Sequence, residues 1–300
     1  MIDDGPLTAD ELATLEASFQ QALRTGDASG LTVLGYGEIS TVVALSTRSG
    51  RWACKRLPPF DGPGRVDAYR EQFGLYLGRL AEAGVQVVES RLQTTPAEGG
   101  RTAVFCIQPI LDADHLGDRA LARMEEPEAV RWFERILQRT LAVVDERTGF
   151  DAQISNWWFD GDEPVYLDVT TPLMRDEAGR DLLDVGLFLA QLPWLLRGVV
   201  RVFLVRGILD TYQNPRGVVV DLLANLVKEG LGHLVPPFLE VANPHLDRAV
   251  MAEEVHRYYR GDARTWELLQ RLRRLDRWWQ RTVRRRTYPF LLPGPIERRV

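Results

Sequence analysis

Cysteine, histidine and lysine are all scarce in this chain, and each scarcity removes a class of function. Its 300 residues hold two cysteines, Cys54 and Cys106. That is too few for a disulfide-stapled secreted scaffold, and it points to a reducing, cytoplasmic setting. The four histidines, His115, His233, His245 and His256, show no metal-ligand spacing, and neither cysteine stands near one, so a zinc centre has no support. No serine sits in a Gly-x-Ser-x-Gly setting, which leaves an acyl-transfer hydrolase without its nucleophile. Long apolar runs are absent too. The most apolar region, Leu182 to Val205, has an uncharged core of only twelve residues, Val185 to Leu196, with Gln191 and Pro193 inside it. A spanning helix needs about 20, so the region reads as buried core helix, with no transmembrane segment. The first residues, MIDDGPLTADEL, are acidic and polar and read as no signal peptide.

Charge is unevenly placed. The net charge is −5, yet the last thirty residues carry ten Arg against Asp276 and Glu297, which leaves −13 on the first 270. An acidic body argues against nucleic-acid binding, and the basic end needs its own explanation. Of the 37 basic residues, 35 are Arg and only Lys55 and Lys228 are Lys. Where arginine fills the ordinary surface positions, a surviving lysine marks a place to look for chemistry that a guanidinium cannot supply.

Periodicity gives the organisation. Thr8 to Thr25 is an amphipathic helix pattern, with Thr8 as N-cap and Glu11 completing a capping box. Short β-branched or apolar runs follow at Leu31 to Leu34, Thr41 to Ser46 and Trp52 to Leu57, then a helix from Val66 to Ala83. Val85 to Leu92 and Thr102 to Leu111 read as a hairpin across the loop TTPAEGGR. The chain beyond is mostly helical: Glu128 to Glu146, Asp181 to Val205, Val218 to Glu229 and Arg248 to Arg286, with a strand-like stretch from Phe150 to Val169. These patterns predict an α+β fold. Residues 1–110 form a lobe with a five-stranded antiparallel sheet and one inserted helix; residues 111–300 form a helical lobe.

The chemistry-bearing residues fall in a definite order. Gly35 and Gly37, with Ser40 after them, form a turn between the first two strands, where missing Cβ atoms let backbone N–H groups approach a polyphosphate. An ordinary hairpin turn has the same pattern. In the strand Arg51–Leu57, alternation puts Lys55 on one face with Ala53 and Leu57, and Arg56 on the other with Trp52 and Cys54. Lys55 is either a phosphate-binding cation or an edge lysine in solvent. Glu71, between Tyr69 and Phe73, either points back to pair with Lys55 or is a solvated surface Glu. After the Glu128–Glu146 helix come Asp151 and Asn156, five apart, and Asp168 at the end of the apolar strand Val165–Val169. Asn156 and Asp168 supply the oxygen ligands Mg²⁺ prefers, leaving Asp151 to accept a proton from a substrate hydroxyl.

This order of glycine turn, strand Lys, helix Glu, Asp-x₄-Asn and Asp resembles the protein-kinase-like superfamily. It is closest to the small-molecule kinases of aminoglycoside phosphotransferase and choline kinase type, over residues 30 to 190. The resemblance implies a two-lobed kinase-like fold and ATP- and Mg²⁺-dependent phosphoryl transfer to a hydroxyl of a small-molecule acceptor. It implies a hinge at Phe105–Ile110 that binds adenine through the Gln108 carbonyl and the Ile110 N–H, since Pro109 has none. It also implies that Asp184 braces the catalytic loop. The chain departs from the pattern at Ser40 in place of a third glycine, and at Gly149-Phe150 where a His is usual. Further departures are Gln153 in place of a basic residue and Val169-Thr170-Thr171-Pro172 after the metal Asp. These departures keep a second reading open, a catalytically silent kinase-like binding protein.

At the basic end, Leu268, Leu272, Leu275 and Trp279 fall on one helical stripe among Arg273, Arg274, Arg277, Arg281 and Arg284. The stripe reads as a terminal helix packed on the large lobe with a solvated Arg face. The alternatives are peripheral contact with anionic membrane and, through Arg284-Arg285-Arg286, a grip on an acidic partner or substrate.

Overall fold

The structure is a computed structural model that describes residues 5–37, 40–184, 186, 206–285, 288 and 290–292. Glu38, Ile39, Arg286 and nearly all of the helix expected from Asp181 to Val205 lie outside these residues.

The capping box at Thr8 starts α1 (Ala9–Thr25): the Thr8 hydroxyl accepts from the Glu11 N–H, and the Glu11 carboxylate accepts from the Thr8 N–H. Strands β1 (Thr32–Tyr36), β2 (Thr41–Thr47) and β3 (Gly50–Arg56) follow, then α2 (Pro63–Glu82), β4 (Gln86–Val87), β5 (Arg91–Pro96) and β6 (Thr102–Pro109). Five of them make an antiparallel sheet in the order β1-β2-β3-β6-β5. The sheet is covered on both faces. Leu12, Leu15 and Phe19 of α1 pack on Val43, Cys54, Phe105 and Ile107, while Val66 and Tyr69 of α2 pack with Leu57, Phe60 and Val104.

The first strand of the hairpin expected from Val85 to Leu92 lies further along the chain, and Thr94, Thr95 and Pro96 of the expected loop belong to it. Only Arg91–Pro96 pairs with β6. Gln86 and Val87 leave the sheet and run parallel to β8 of the second lobe, because Val85 is buried in that lobe's core and the Val88 N–H bonds the Tyr166 carbonyl at 3.0 Å. This pairing ties the two lobes.

The second lobe contains α3 (Gly117–Leu121), α4 (Glu126–Val143), the hairpin of β7 (Trp157–Asp160) and β8 (Glu163–Tyr166), α5 (Arg206–Tyr212), α6 (Pro215–Lys228), α7 (Val235–Ala242) and α8 (Ala252–Thr282). Phe133, Ile136 and Leu137 of α4 share one core with Phe150, Trp157, Tyr166 and the apolar residues of α6. Helix α6 is buried from Val218 to Leu226, Asp221 and Asn225 included, as expected of a helix that is apolar on every side.

The terminal helix does not pack as the stripe suggested. The first half of α8 buries Val255, Tyr259 and Ala263. In its second half the buried residues are Gln270, Arg273 and Asp276, while Leu268 (58% exposed), Leu275 (59%) and Trp279 (44%) face outward. Specific polar contacts fix this rotation. The Arg273 guanidinium lies over the Phe290 ring, and Arg281 Nη2 donates to the Leu23 carbonyl at 2.6 Å, at the C-terminal end of α1 where carbonyls lack helical partners. Among the described residues, no helix is long and apolar enough to cross a membrane.

Candidate functional site

Lys55 leaves β3 on the face opposite α1 and spans the lobes to Asp168, with Nζ 2.7 Å from Oδ1. Asp168 stands just past β8, which the β7–β8 hairpin brings back toward the sheet. The Thr170 hydroxyl and N–H donate to the same Oδ1 at 3.0 and 3.3 Å. Burial alone raises the Asp168 pKa, but the Lys55 charge and the hydrogen bonds from Lys55 and Thr170 outweigh it, and the carboxyl sits below its ordinary value. It is therefore ionised at neutral pH, with Oδ2 free of hydrogen-bond partners among the described residues.

The loop before β7 is held from behind by aromatic packing. Phe150 is fully buried, its ring 4.5 Å from that of Tyr166 and 5.8 Å from that of Trp157. Gly149 passes so close to its neighbours that a Cβ would stand 3.0 Å from Leu173 Cβ and 3.1 Å from the Tyr212 carbonyl. The Gly149-Phe150 pair thus serves packing. The Asp151 carbonyl accepts from Asn156 Nδ2 at 3.2 Å and from the Tyr166 hydroxyl at 3.0 Å, and Asp151 Oδ1 accepts from the Gln153 N–H at 3.3 Å. The bond from Nδ2 sets the Asn156 amide so that its Oδ1 is directed away from the Asp151 carbonyl.

Several expected site residues lie elsewhere. Glu71 is exposed and makes no ion pair with Lys55. The α2 stripe Val66, Tyr69, Phe73, Tyr76 and Leu80 is the buried face, and Glu71 is about 200° around the helix from Tyr69. Tyr69 occupies the inward position instead, and its hydroxyl donates to the Thr170 carbonyl at 2.9 Å. The Ile110 N–H bonds the Arg51 carbonyl at 3.1 Å. Gln108 pairs with Ala53 in the same ladder, whose alternation turns the Gln108 backbone groups toward β3. Both hinge groups are turned to β3. The Gln108 side chain instead ties Ser90 Oγ and the Leu167 carbonyl, at 3.0 and 2.8 Å. Asp184 pairs with Arg65 of α2, not with the loop before β7. In the glycine turn, the Gly37 N–H closes on the Ser40 carbonyl at 3.0 Å and Ser40 is buried. Nothing lies within 4 Å of the place a Gly35 Cβ would occupy.

The brace of the loop comes from α6. Gln153 Nε2 donates to Asp221 Oδ2 and its Oε1 accepts from Asn225 Nδ2, both at 3.3 Å, while the Ile154 N–H bonds Asn225 Oδ1 at 2.9 Å. Tyr258 of α8 donates to Asp221 Oδ1 at 3.0 Å. Burial, with the nearby Asp262 charge adding to it, pushes the Asp221 carboxyl up to about 6. The signal for these residues is in the sequence: Asp221 and Asn225 are two polar residues four apart in the apolar run VVVDLLANLV.

The donor set fits a hard divalent cation of the Mg²⁺ kind. It combines one ionised carboxylate with a spare oxygen, Asp168, and one amide oxygen, Asn156, and such an ion takes its remaining ligands from water and phosphate. Among the described residues no group of three or more His, Cys, Asp or Glu could hold a metal ion, which sets a cage built of such side chains aside.

The family described as "Family of unknown function (DUF6206)" matches residues 14–277, and the chain belongs to it. No curated protein matches. Among solved structures, the chain is similar to the kinase domain of Mycobacterium tuberculosis PknI, crystallised as a point mutant. The identity is 14% with a TM-score of 0.35, over 77% of this chain and 93% of that one.

Proposed function

We propose that this member of the DUF6206 family is a phosphotransferase that moves the terminal phosphoryl group of ATP to a hydroxyl of a small molecule. The observation that carries the reading is the Lys55–Asp168 ion pair across the lobes, beside a loop that offers Asp151 and Asn156. Lys55 supplies the cation for phosphate oxygens, and Asn156 Oδ1 with Asp168 Oδ2 would hold Mg²⁺. That ion, when bound, neutralises charge on the phosphates. Asp151 accepts the proton of the acceptor hydroxyl. Its backbone is fixed by Asn156 and Tyr166, so the carboxylate needs little reorganisation.

A second reading, a silent nucleotide-binding protein, draws on three observations: Glu71 is exposed, the Ile110 N–H is engaged in the sheet, and Gln153 is turned onto α6. Thermal shift with Mg²⁺-ATP, followed by a metabolite screen for ATP consumption, separates them. Ligand at 100 times its dissociation constant stabilises by about 2.7 kcal/mol. A shift with turnover supports the enzyme, a shift without turnover the silent protein. No shift at millimolar ATP in folded protein overturns both.

A further inference from the structure

We infer that the outward face of the second half of α8 docks on an anionic lipid bilayer, with the helix lying in the membrane interface. The inference is independent of the nucleotide site and rests on a helix that is inside out. From Leu268 to Trp279 four of the six apolar residues face outward, while Leu269 and Leu272 are half-buried. Leu268, Leu275, Trp278 and Trp279 are 58, 59, 55 and 44% exposed, while Gln270, Arg273 and Asp276 on the opposite side are 6, 2 and 6% exposed. A soluble helix gains by burying its leucines and tryptophans. Here the polar side is committed inward by its contacts with Phe290 and Leu23, so the apolar side is available to something else.

Charge selects the occupant. Residues 271 to 285 contain seven Arg and one Asp, and five of the seven remain beside the buried Arg273 and the Arg281 held by Leu23, in a protein whose first 270 residues carry −13. Arg264 and Arg271 are exposed beside the stripe, Arg271 in an exposed ion pair with Glu267, and Arg284 and Arg285 are exposed beyond its end. A second copy laid against this face would bring two arginine rows together. An anionic bilayer accepts both features, since the rings and leucines enter the acyl boundary while the guanidinium groups reach the headgroups. The stripe is about 16 Å long at 1.5 Å per residue, right for lying in the interface and far short of the ~30 Å needed to cross. The acidic remainder is repelled by the same surface, which orients the protein with α8 down.

Vesicle flotation of the full chain tests this. The wild type is expected to float with vesicles containing phosphatidylglycerol and not with pure phosphatidylcholine. Raising salt from about 0.1 to 1 M, which shortens the screening length from about 10 to 3 Å, is expected to release it. The double variant Leu275→Asp/Trp279→Asp changes exposed positions, and its partitioning is expected to fall at least about tenfold. Arg284→Ser/Arg285→Ser, at two exposed positions, is expected to weaken binding and flatten its salt dependence. Folded wild type that stays unbound to anionic vesicles at low salt overturns the proposal, as does undiminished flotation of both variants. So does a non-binding wild type that sedimentation shows to be a dimer broken by the Leu275/Trp279 change, since a second copy would then be the occupant.

Discussion

Two cations adjacent in one strand, Lys55 and Arg56, point to opposite faces of the small-lobe sheet and end in different kinds of ion pair. Arg56 meets Glu16 of α1 through two parallel bonds of 2.7 Å. The side chains are 5 and 4% exposed, and Gln20 donates to the same carboxylate. Arg56 also lies 5.5 Å over the Phe19 ring. Both oxygens of Glu16 are used, so this pair has nothing left to offer a ligand. Lys55 and Asp168 are 16 and 28% exposed, and all the bonds to Asp168 converge on one oxygen. A pair satisfied on every side holds structure together, whereas a partly exposed pair with an open oxygen can exchange its partner for a ligand.

The largest effects should appear on the Lys55 side. With an acceptor in hand, Asp151→Asn is expected to lower turnover by about 10²–10⁴-fold while Mg²⁺-ATP binding survives. Asp168→Ala should remove the metal-dependent thermal shift and turnover together. An Asp151→Asn enzyme with unchanged turnover would end that assignment. On the α1 side, Glu16→Ala leaves a buried guanidinium without its carboxylate and is expected to cost about 3–5 kcal/mol in urea unfolding. A cost under about 1 kcal/mol would erase the distinction between the two faces.

The loop brace gives a smaller, pH-dependent effect. Asp221 has its carboxyl raised from 3.8 to about 6 in the folded protein. The stability it lends is present below pH 3.8 and is lost as pH rises through about 6. Asp221→Asn retains an amide to meet Gln153 and Tyr258, and should flatten this interval, leaving the variant more stable at pH 7 by on the order of 1–3 kcal/mol. Equal pH profiles for the two proteins would show that Asp221 is not held as described. The smallest expected effect is that of Lys55→Ala on stability. Asp168 has a lowered pKa, so the stability it lends is present above the unfolded value near 3.8 and is lost as pH falls through its lower folded value. Without Lys55 that acid-limb loss should shrink, and at neutral pH the partly exposed pair should contribute no more than about 1 kcal/mol.

Local rules made much of this legible. The Thr8 capping box, the five-stranded sheet with its inserted helix and the apolar stripe of α4 all rest on contacts within a few residues or on side-chain period. The opposite placement of Lys55 and Arg56 follows from strand alternation in the same way. The juxtaposition of Lys55 with Asp168, 113 residues apart, was legible only as an ordered set of residue types. The place of Glu71 between two aromatics left its direction open, and the whole buried stripe of α2 from Val66 to Leu80 turns it to solvent. The Ile110 N–H was assigned to a ligand although the β3–β6 register claims it.

By itself, then, the sequence determined most element types among the described residues, the sheet and its inserted helix, the acidic body with its basic end, and the order of the candidate site residues. These follow from period, capping and charge, which act over a few residues or over the chain as a whole. Tertiary structure decided which face each helix buries and which polar groups are consumed in holding the fold. Gln153 went to α6, Tyr69 took the inward place on α2, and α8 turned its leucines and tryptophans out. The physical reason is common to all three. A side chain's role depends on which partners reach it first, and those partners come from segments far away in the chain. Arg273 and Arg281 found Phe290 and Leu23, and those contacts set the rotation of a helix whose own apolar pattern called for the opposite.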